Sequence, residues 1–172
     1  MGTDKALLSF RGGPLLVSVA RVVRDVVGTV TIVGDPARYG RLGFPVIADL
    51  FPGEGPLGGI LTVLKHTTTD WNLITACDMP ELSPAFLTRL SNATAQTGAL
   101  AVLPRGLSGR VEPLCAAYHR AALEALLPAF ENGVRKITIA LEGLPAEFLT
   151  VTDIKPLQNL NTPEEWAKYA AG

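Results

Sequence analysis

Asp78 directly follows the most apolar stretch of the chain, and it is the first candidate for a residue that does chemistry. The run Trp71–Cys77 is mostly apolar or β-branched and shows no alternation of apolar and polar residues. Such a run is typical of a strand covered on both faces, as strands of parallel α/β sheets are. Ligands of open α/β sheets bind at the carboxyl ends of the strands. Asp78 is therefore a candidate metal ligand, and a carboxylate that only accepts backbone hydrogen bonds in a strand-to-helix turn is the alternative.

A second carboxylate, Asp49, ends the apolar segment Pro45–Ala48 and precedes a glycine-rich loop, Pro52–Gly59. Glycines in a loop that leads into a helix let a ligand approach the backbone, where free N–H groups favour anions or polar base edges. A tight turn that needs positive φ explains the same glycines, and a plain turn cap explains Asp49. Both interpretations stay open on the sequence alone.

The elements that must position these residues alternate between strands and helices. Apolar residues at spacings of three and four from Leu15 to Val26 predict a helix that Gly28 ends. Strands are predicted at 29–33, 45–48, 71–77, 99–103, 112–118 and 148–151, and further helices around 60–64, 84–93, 123–130 and 136–141, with a loop over 104–109. This alternation predicts an α/β fold, a three-layer sandwich with a Rossmann-like, mostly parallel sheet.

Composition predicts one globular domain, 1–172, and excludes several partner classes. Of 172 residues, 48% are hydrophobic and 18% are charged, which is not the composition of a disordered chain. The net charge is −1 with no basic run, so we expect neither nucleic acid nor a membrane as a partner. Two distant cysteines form no disulfide framework, and neither a membrane span nor a signal peptide is evident, so a cytoplasmic protein is expected.

Six segments in one order resemble a known family over essentially the whole chain. They resemble the molybdenum cofactor guanylyltransferases, MobA-like enzymes with a fold of the nucleotide-diphospho-sugar transferase type. The segments are Gly2-Thr3-Asp4-Lys5-Ala6-Leu7-Leu8, Gly13-Pro14-Leu15, Asp49 before Gly55-Pro56-Leu57-Gly58-Gly59, Cys77-Asp78-Met79-Pro80, Glu112-Pro113-Leu114-Cys115-Ala116-Ala117-Tyr118 and Asn159-Leu160-Asn161-Thr162-Pro163-Glu164-Glu165.

The sequence departs from that family at its front. Members of the family start with a strand and a loop of the form Leu-Ala-Gly-Gly-x-x-x-Arg that runs into Met-Gly, whereas this sequence starts at Met1-Gly2. We therefore expect the first strand and the phosphate-binding loop, about fifteen residues together, to be missing. A late start codon, a trimmed sequence or a degenerate paralogue are the alternative explanations. The expected consequences are two exposed ladder edges and an inactive chain.

The resemblance implies transfer of GMP from GTP to molybdopterin, with release of pyrophosphate and dependence on Mg²⁺. It implies that Asp78 holds Mg²⁺ and that Lys5 neutralises the triphosphate; an exposed loop lysine is the alternative for Lys5. The remaining GTP contacts are implied at Gly34, Asp49, Gly55, Pro56, Leu57 and Gly58. Asn159 and Asn161 are implied to bind molybdopterin, and local support of a helix cap at Thr162 is their alternative.

Three other functions compete with this one. A related molybdopterin cytidylyltransferase or sugar-phosphate nucleotidyltransferase shares the chemistry, although Asp4-Lys5-Ala6 and the Asn159–Glu165 segment favour the guanylyl branch. A nucleotide-binding relic without activity, or an unrelated flavodoxin-like regulator, are the alternatives outside the enzyme class. Other proteins of molybdenum cofactor biosynthesis or molybdoenzyme maturation are candidate partners. Arg110, Arg135 and Lys136 either face an anionic substrate or are simply solvated.

Overall fold

A computed structural model describes residues 4–160 of the chain. Six helices and eight strands occur in this range: β1 Ser9–Phe10, β2 Gly13–Pro14, α1 Leu15–Val27, β3 Ile32–Val33, α2 Pro36–Tyr39, β4 Val46–Ile47, α3 Pro56–His66, β5 Trp71–Thr75, α4 Pro84–Thr94, β6 Ala101–Gly106, β7 Cys115–His119, α5 Leu123–Glu131, α6 Ile137–Ala140 and β8 Ala146–Val151. Short 3₁₀ turns lie at Lys5–Leu7, Arg120–Ala122, Leu141–Gly143 and Lys155–Leu157. Within residues 4–160, no helix has the length and apolar character needed to cross a membrane.

The main sheet has four strands in the order β5-β7-β6-β8. Strand β7 is antiparallel to both of its neighbours, whereas β6 and β8 are parallel, so β5, β6 and β8 share one direction. Strands β3 and β4 form a separate parallel pair, and β1 and β2 a short antiparallel one. The predicted α/β class is confirmed, with a sheet that is mixed because β7 returns against its neighbours.

Helices cover the sheet on both faces, which confirms the predicted three layers. Side chains of successive strand residues point to opposite faces, so Leu103 and Tyr118 pack against α3 and α5, while Val102 and Ala117 pack against α1 and α4. All four residues are almost completely buried. The two cores hold the sheet in a fixed position beneath the loops at the ends of its strands.

Some predicted boundaries are confirmed, and others are wrong, the end of β6 among them. Helix α1 ends at Gly28 in a left-handed conformation with φ of 82°, and the Ser83 hydroxyl caps α4 by accepting a hydrogen bond from the N–H of Phe86. The loop predicted to start at Pro104 is instead the continuation of β6 to Gly106. This proline is tolerated because its backbone faces the side on which β7 no longer pairs with β6, and its carbonyl there accepts a hydrogen bond from the N–H of Glu112.

Two open strand edges face a large cavity between the sheets. Ile32 and Gly34 donate backbone hydrogen bonds to the β4 side, so the backbone groups of Val33 point away from β4. Strand β5 pairs with β7 on one side, and the antiparallel register turns the backbone groups of Leu73 and Thr75 to the other side. A cavity of about 1100 Å³ is lined by residues of both strands and of α1. The exposed ladder edges expected from the sequence are present within residues 4–160.

Candidate functional site

Asp78 and Lys5, which the sequence analysis placed in one site, lie next to each other in the structure. Asp78 follows β5 in the turn that leads to α4, and it lines the cavity. Its Oδ2 atom lies 3.9 Å from the Lys5 Nζ atom, and its side chain is 17% exposed. Its Oδ1 atom is buried and has no hydrogen-bond partner among the described residues. A lysine therefore faces one carboxylate oxygen, while the other oxygen can accept a ligand.

Burial sets the protonation behaviour of this turn. Desolvation raises the pKa of the Asp78 carboxyl group, and Lys5 and the residue's own backbone N–H offset only part of that rise. Burial also raises the pKa of the neighbouring Cys77 thiol to about 11. Cys77 is therefore a thiol at neutral pH and not a thiolate.

The raised pKa of Asp78 predicts how stability depends on pH. A carboxyl group whose folded pKa exceeds its ordinary value of 3.8 destabilises the fold as the pH rises through that range. In metal-free protein we expect Asp78→Asn to raise Tm at about pH 7, and the gain to shrink as the pH falls toward about 4. Thermal unfolding in the presence of a chelator measures this. A lower Tm for the variant at every pH would contradict it.

Asp4 fixes the position of Lys5. One oxygen of the Asp4 carboxylate accepts a hydrogen bond from the N–H of Ala6 (3.1 Å) and so caps the 3₁₀ turn that contains the lysine. The other oxygen accepts hydrogen bonds from the Tyr39 hydroxyl (2.8 Å) and the Arg38 guanidinium (3.1 Å). The turn is thereby anchored to α2. The sequence does not predict this role, because no local pattern indicates a partner 35 residues away.

Gly34 lies at the end of β3, where it makes room for Tyr39. A Cβ atom at this position would lie 2.7 Å from Cε2 of the Tyr39 ring. The glycine therefore allows the ring to pack in the position from which its hydroxyl reaches Asp4. Gly34 supports the site through packing, and its predicted contact with the nucleotide stays a prediction.

Asp49 has the contacts of a turn cap. Its Oδ1 atom accepts a hydrogen bond from the N–H of Phe51 and one from the hydroxyl of Thr62, each 2.9 Å long. Thr62 is fully buried in α3, and its hydroxyl also accepts a hydrogen bond from the N–H of Leu50. Asp49 thus ties the loop to the helix, and it is not among the residues that line the cavity.

The glycine-rich loop enters α3 earlier than predicted, at Pro56. Gly55 has a φ of 79°, which favours glycine, and Pro56 occupies the first turn of the helix. Leu57 is completely buried, and its predicted contact with the nucleotide stays a prediction. A Cβ atom on Gly58 would lie 2.9 Å from Cβ of Phe51, which explains that glycine by packing.

Pro56 and Gly59 are the residues of this loop that line the cavity. A Cβ atom on Gly59 would meet nothing within 4 Å, so the backbone there is open to close approach. The start of α3 thus adjoins the cavity; Pro56 has no N–H, and the N–H of Gly58 donates to the carbonyl of Gly55. Gly59 offers this approach, whereas Gly58 packs against Phe51, and the predicted nucleotide contact of Gly58 stays a prediction.

Asn159 lies beside Asp78. The N–H of Leu160 donates a hydrogen bond of 3.1 Å to the backbone carbonyl of Asp78, which brings the preceding residue to the cavity. The Oδ1 atom of Asn159 is buried and, like Asp78 Oδ1, has no partner among the described residues. Asn161 and the cap predicted at Thr162 lie outside the described residues.

Two arginines considered from the sequence have intramolecular partners. Arg110 pairs with Glu112, and Arg135 pairs with Glu54 of the glycine-rich loop. Arg135 also donates a hydrogen bond to the carbonyl of Phe130. Arg135 therefore connects the loop to the end of α5, which is a structural role that the sequence analysis did not predict.

The fold and the site together define a class. A Rossmann-like sheet with a partly buried carboxylate after a strand, a lysine facing it and a glycine-rich start of a helix suits the binding of a nucleotide and its phosphates, and it agrees with the nucleotidyltransferase class. The sequence model of one protein family, the MobA-like NTP transferase domain, matches residues 1–144. The chain belongs to this family.

Relatives cover nearly the whole chain. It is 34% identical to a probable molybdenum cofactor guanylyltransferase from a Nostoc species, over 97% of this chain and 83% of the relative. It is 31% identical to a molybdenum cofactor guanylyltransferase from Vibrio atlanticus, over 98% of this chain and 87% of the relative.

Solved structures agree on the fold. Molybdopterin-guanine dinucleotide biosynthesis protein A from Archaeoglobus fulgidus has a TM-score of 0.80 at 26% identity, covering 99% of this chain and 90% of that one. The 2-C-methyl-D-erythritol 4-phosphate cytidylyltransferase of Thermus thermophilus has a TM-score of 0.76 at 18% identity, covering 99% and 93%, and it supports the fold alone.

Proposed function

We propose that this chain transfers GMP from GTP to molybdopterin and releases pyrophosphate. Two relatives that are more than 30% identical carry the name of that activity. The observation in the structure that supports it best is Asp78, which lines the cavity with Lys5 beside it and has one carboxylate oxygen without a partner among residues 4–160. A carboxylate for a cation and a lysine for phosphate are what a transfer between two polyanions requires.

The proposal includes Mg²⁺ as the cofactor. The buried Oδ1 atom of Asp78 fits this cation, because it is a hard oxygen ligand without another partner. No group of three or more acidic, His or Cys side chains suited to a metal occurs within residues 4–160. One carboxylate suffices, since Mg²⁺ keeps several waters and is completed by substrate phosphates. When bound, the ion supplies charge neutralisation on the phosphates.

Each residue then has a proposed task. Lys5, held by the cap of Asp4, neutralises negative charge on the triphosphate. The attacking group is a phosphate oxygen of molybdopterin that is already ionised, so positioning replaces a general base. The remaining proposed contacts are backbone or polar ones to GTP from Gly34, Asp49, Gly55, Pro56, Leu57 and Gly58, and contacts to molybdopterin from Asn159 and Asn161.

The proposal extends to the setting of the enzyme. We place it in the cytoplasm, supported by the two cysteines of the chain, Cys77 and Cys115, which are both free thiols. We treat 1–172 as one nucleotidyltransferase domain. Proteins of molybdenum cofactor biosynthesis or molybdoenzyme maturation are its proposed partners, because they supply or consume the pterin.

The nucleobase that the enzyme accepts can be identified from the increase in stability that each bound nucleotide causes. A ligand present at about a hundred times its Kd stabilises the fold by about 2.7 kcal/mol. We therefore expect GTP with Mg²⁺ to raise Tm, and CTP at the same concentration to raise it less. A larger shift with CTP would favour the cytidylyltransferase alternative.

Turnover is tested in two forms of the protein. The first is the 172-residue chain, and the second, the extended chain, carries a strand and a Leu-Ala-Gly-Gly-x-x-x-Arg loop before Met1. We expect release of pyrophosphate from GTP, dependent on Mg²⁺ and molybdopterin, in the extended chain. Release by the 172-residue chain would show that the reaction does not need the added segment. An extended chain that binds GTP without turnover would favour the relic.

A further inference from the structure

Two buried side-chain oxygens without hydrogen-bond partners line the same cavity. They are Oδ1 of Asp78 and Oδ1 of Asn159, and no other buried side-chain nitrogen or oxygen within residues 4–160 lacks a partner. Buried polar atoms in folded proteins are nearly always paired, so each exception calls for an explanation. Two exceptions in one cavity point to a single missing partner.

The backbone holds these two residues together. The hydrogen bond from the N–H of Leu160 to the carbonyl of Asp78 fixes the segment that carries Asn159 against the turn that carries Asp78. The two residues are 81 positions apart in the sequence, and this bond makes their proximity a property of the fold. The Lys5 Nζ atom lies nearest to Oδ2 of Asp78, on the other oxygen of the carboxylate.

The chemistry of the two oxygens defines their partner. An ionised carboxylate and an amide carbonyl are both acceptors, so neither can satisfy the other. Whatever joins them must be positive or carry protons. Carboxylate and carbonyl oxygens suit Mg²⁺ and Mn²⁺. A water molecule is the competing partner, and it would leave the charge of the carboxylate uncompensated on that side.

We propose that Oδ1 of Asn159 is a second protein ligand, beside Oδ1 of Asp78, for the divalent cation that carries the triphosphate. The inference rests on the proposed function, because it adds a ligand to that same metal site. It gives Asn159 a task that the resemblance does not imply, and it leaves the amide NH₂ group available for the phosphate of molybdopterin. Asn159 would thus connect the cation to the second substrate.

The test is binding of Mn²⁺ to the 172-residue chain with GTP present, measured by the change that the protein causes in the electron paramagnetic resonance signal of the ion. We expect Asn159→Ala to weaken binding by at least about 10-fold, the scale on which supporting groups of metal sites act. Asn159→Asp, which keeps the oxygen, should retain binding. Gln158→Ala is the matched control, because this exposed neighbour lies in the same segment, and it should bind as the wild type does.

Thermal unfolding of the metal-free variants separates a ligand from a structural residue. Asn159→Ala removes an unpartnered buried oxygen, so its Tm should not fall; a marked fall would indicate a structural role and overturn the inference. Normal Mn²⁺ binding by Asn159→Ala, together with loss of binding by Asp78→Asn, would overturn the inference and leave the proposed metal site intact. Normal binding by both variants, or no binding by the wild type, would overturn both.

Discussion

Asp78→Asn is expected to slow guanylyl transfer by the extended chain by about 10²-fold or more, the effect of losing one electrostatic contact in the transition state. The amide keeps the shape of the side chain and removes the charge that holds the cation. Metal-free variant protein should nevertheless be at least as stable as the wild type near neutral pH, because burial penalises the charged carboxylate. Loss of turnover without loss of stability is the pattern that distinguishes a metal ligand from a turn cap.

Pyrophosphate release at saturating Mg²⁺ and thermal unfolding with a chelator measure the two effects. Asp25→Asn is the control, because this exposed carboxylate of α1 lies outside the site. Full turnover by Asp78→Asn would remove the carboxylate from the mechanism. A turnover loss matched by a collapse of Tm would make Asp78 a structural residue.

Lys5→Ala is expected to lower turnover of the extended chain by roughly 10²-fold, since a positive charge facing the phosphates is lost. Its effect on stability should be small. The lysine is 31% exposed and lies 3.9 Å from Asp78, and exposed ion pairs contribute about 1 kcal/mol or less. The change in Tm should therefore stay within about 2–4 °C for a chain of this size.

Lys136→Ala is the matched control for this prediction. Lys136 is an exposed lysine that the sequence left as a candidate for anion binding. We expect its replacement to leave turnover and the affinity for GTP unchanged. Equal losses in both lysine variants would mean that general positive charge, and not the position of Lys5, supports the reaction.

The sequence alone predicts what depends on local patterns and on the resemblance. The apolar run that ends in a carboxylate predicts both β5 and the position of Asp78 after it. The end of α1 at Gly28 is predicted because glycine adopts positive φ freely. Lys5 was placed with Asp78 through the family segment that contains it. The structure brings these two side chains together.

Contacts between distant parts of the chain were beyond sequence reasoning. Nothing in the pattern around Asp4 indicates that Tyr39 donates a hydrogen bond to it. Gly58 and Gly59 are adjacent glycines that the sequence does not distinguish. In the structure Phe51 leaves no room for a Cβ atom on Gly58, whereas a Cβ atom on Gly59 would meet nothing within 4 Å. Strand β6 continues through Pro104 because its pairing with β7 stops at Val102 while its pairing with β8 goes on, and the sequence of β6 does not show where its neighbours stop.

The outward-facing backbone groups of β3 and β5 bear on how the 172-residue chain behaves in solution. An unpaired row of N–H and C=O groups is a template on which another polypeptide can add as a strand. We therefore expect copies of the chain to pair through these edges, and the pairing to increase with protein concentration. Dilute samples favour separate molecules, whereas concentrated or warmed samples favour edge-to-edge aggregates.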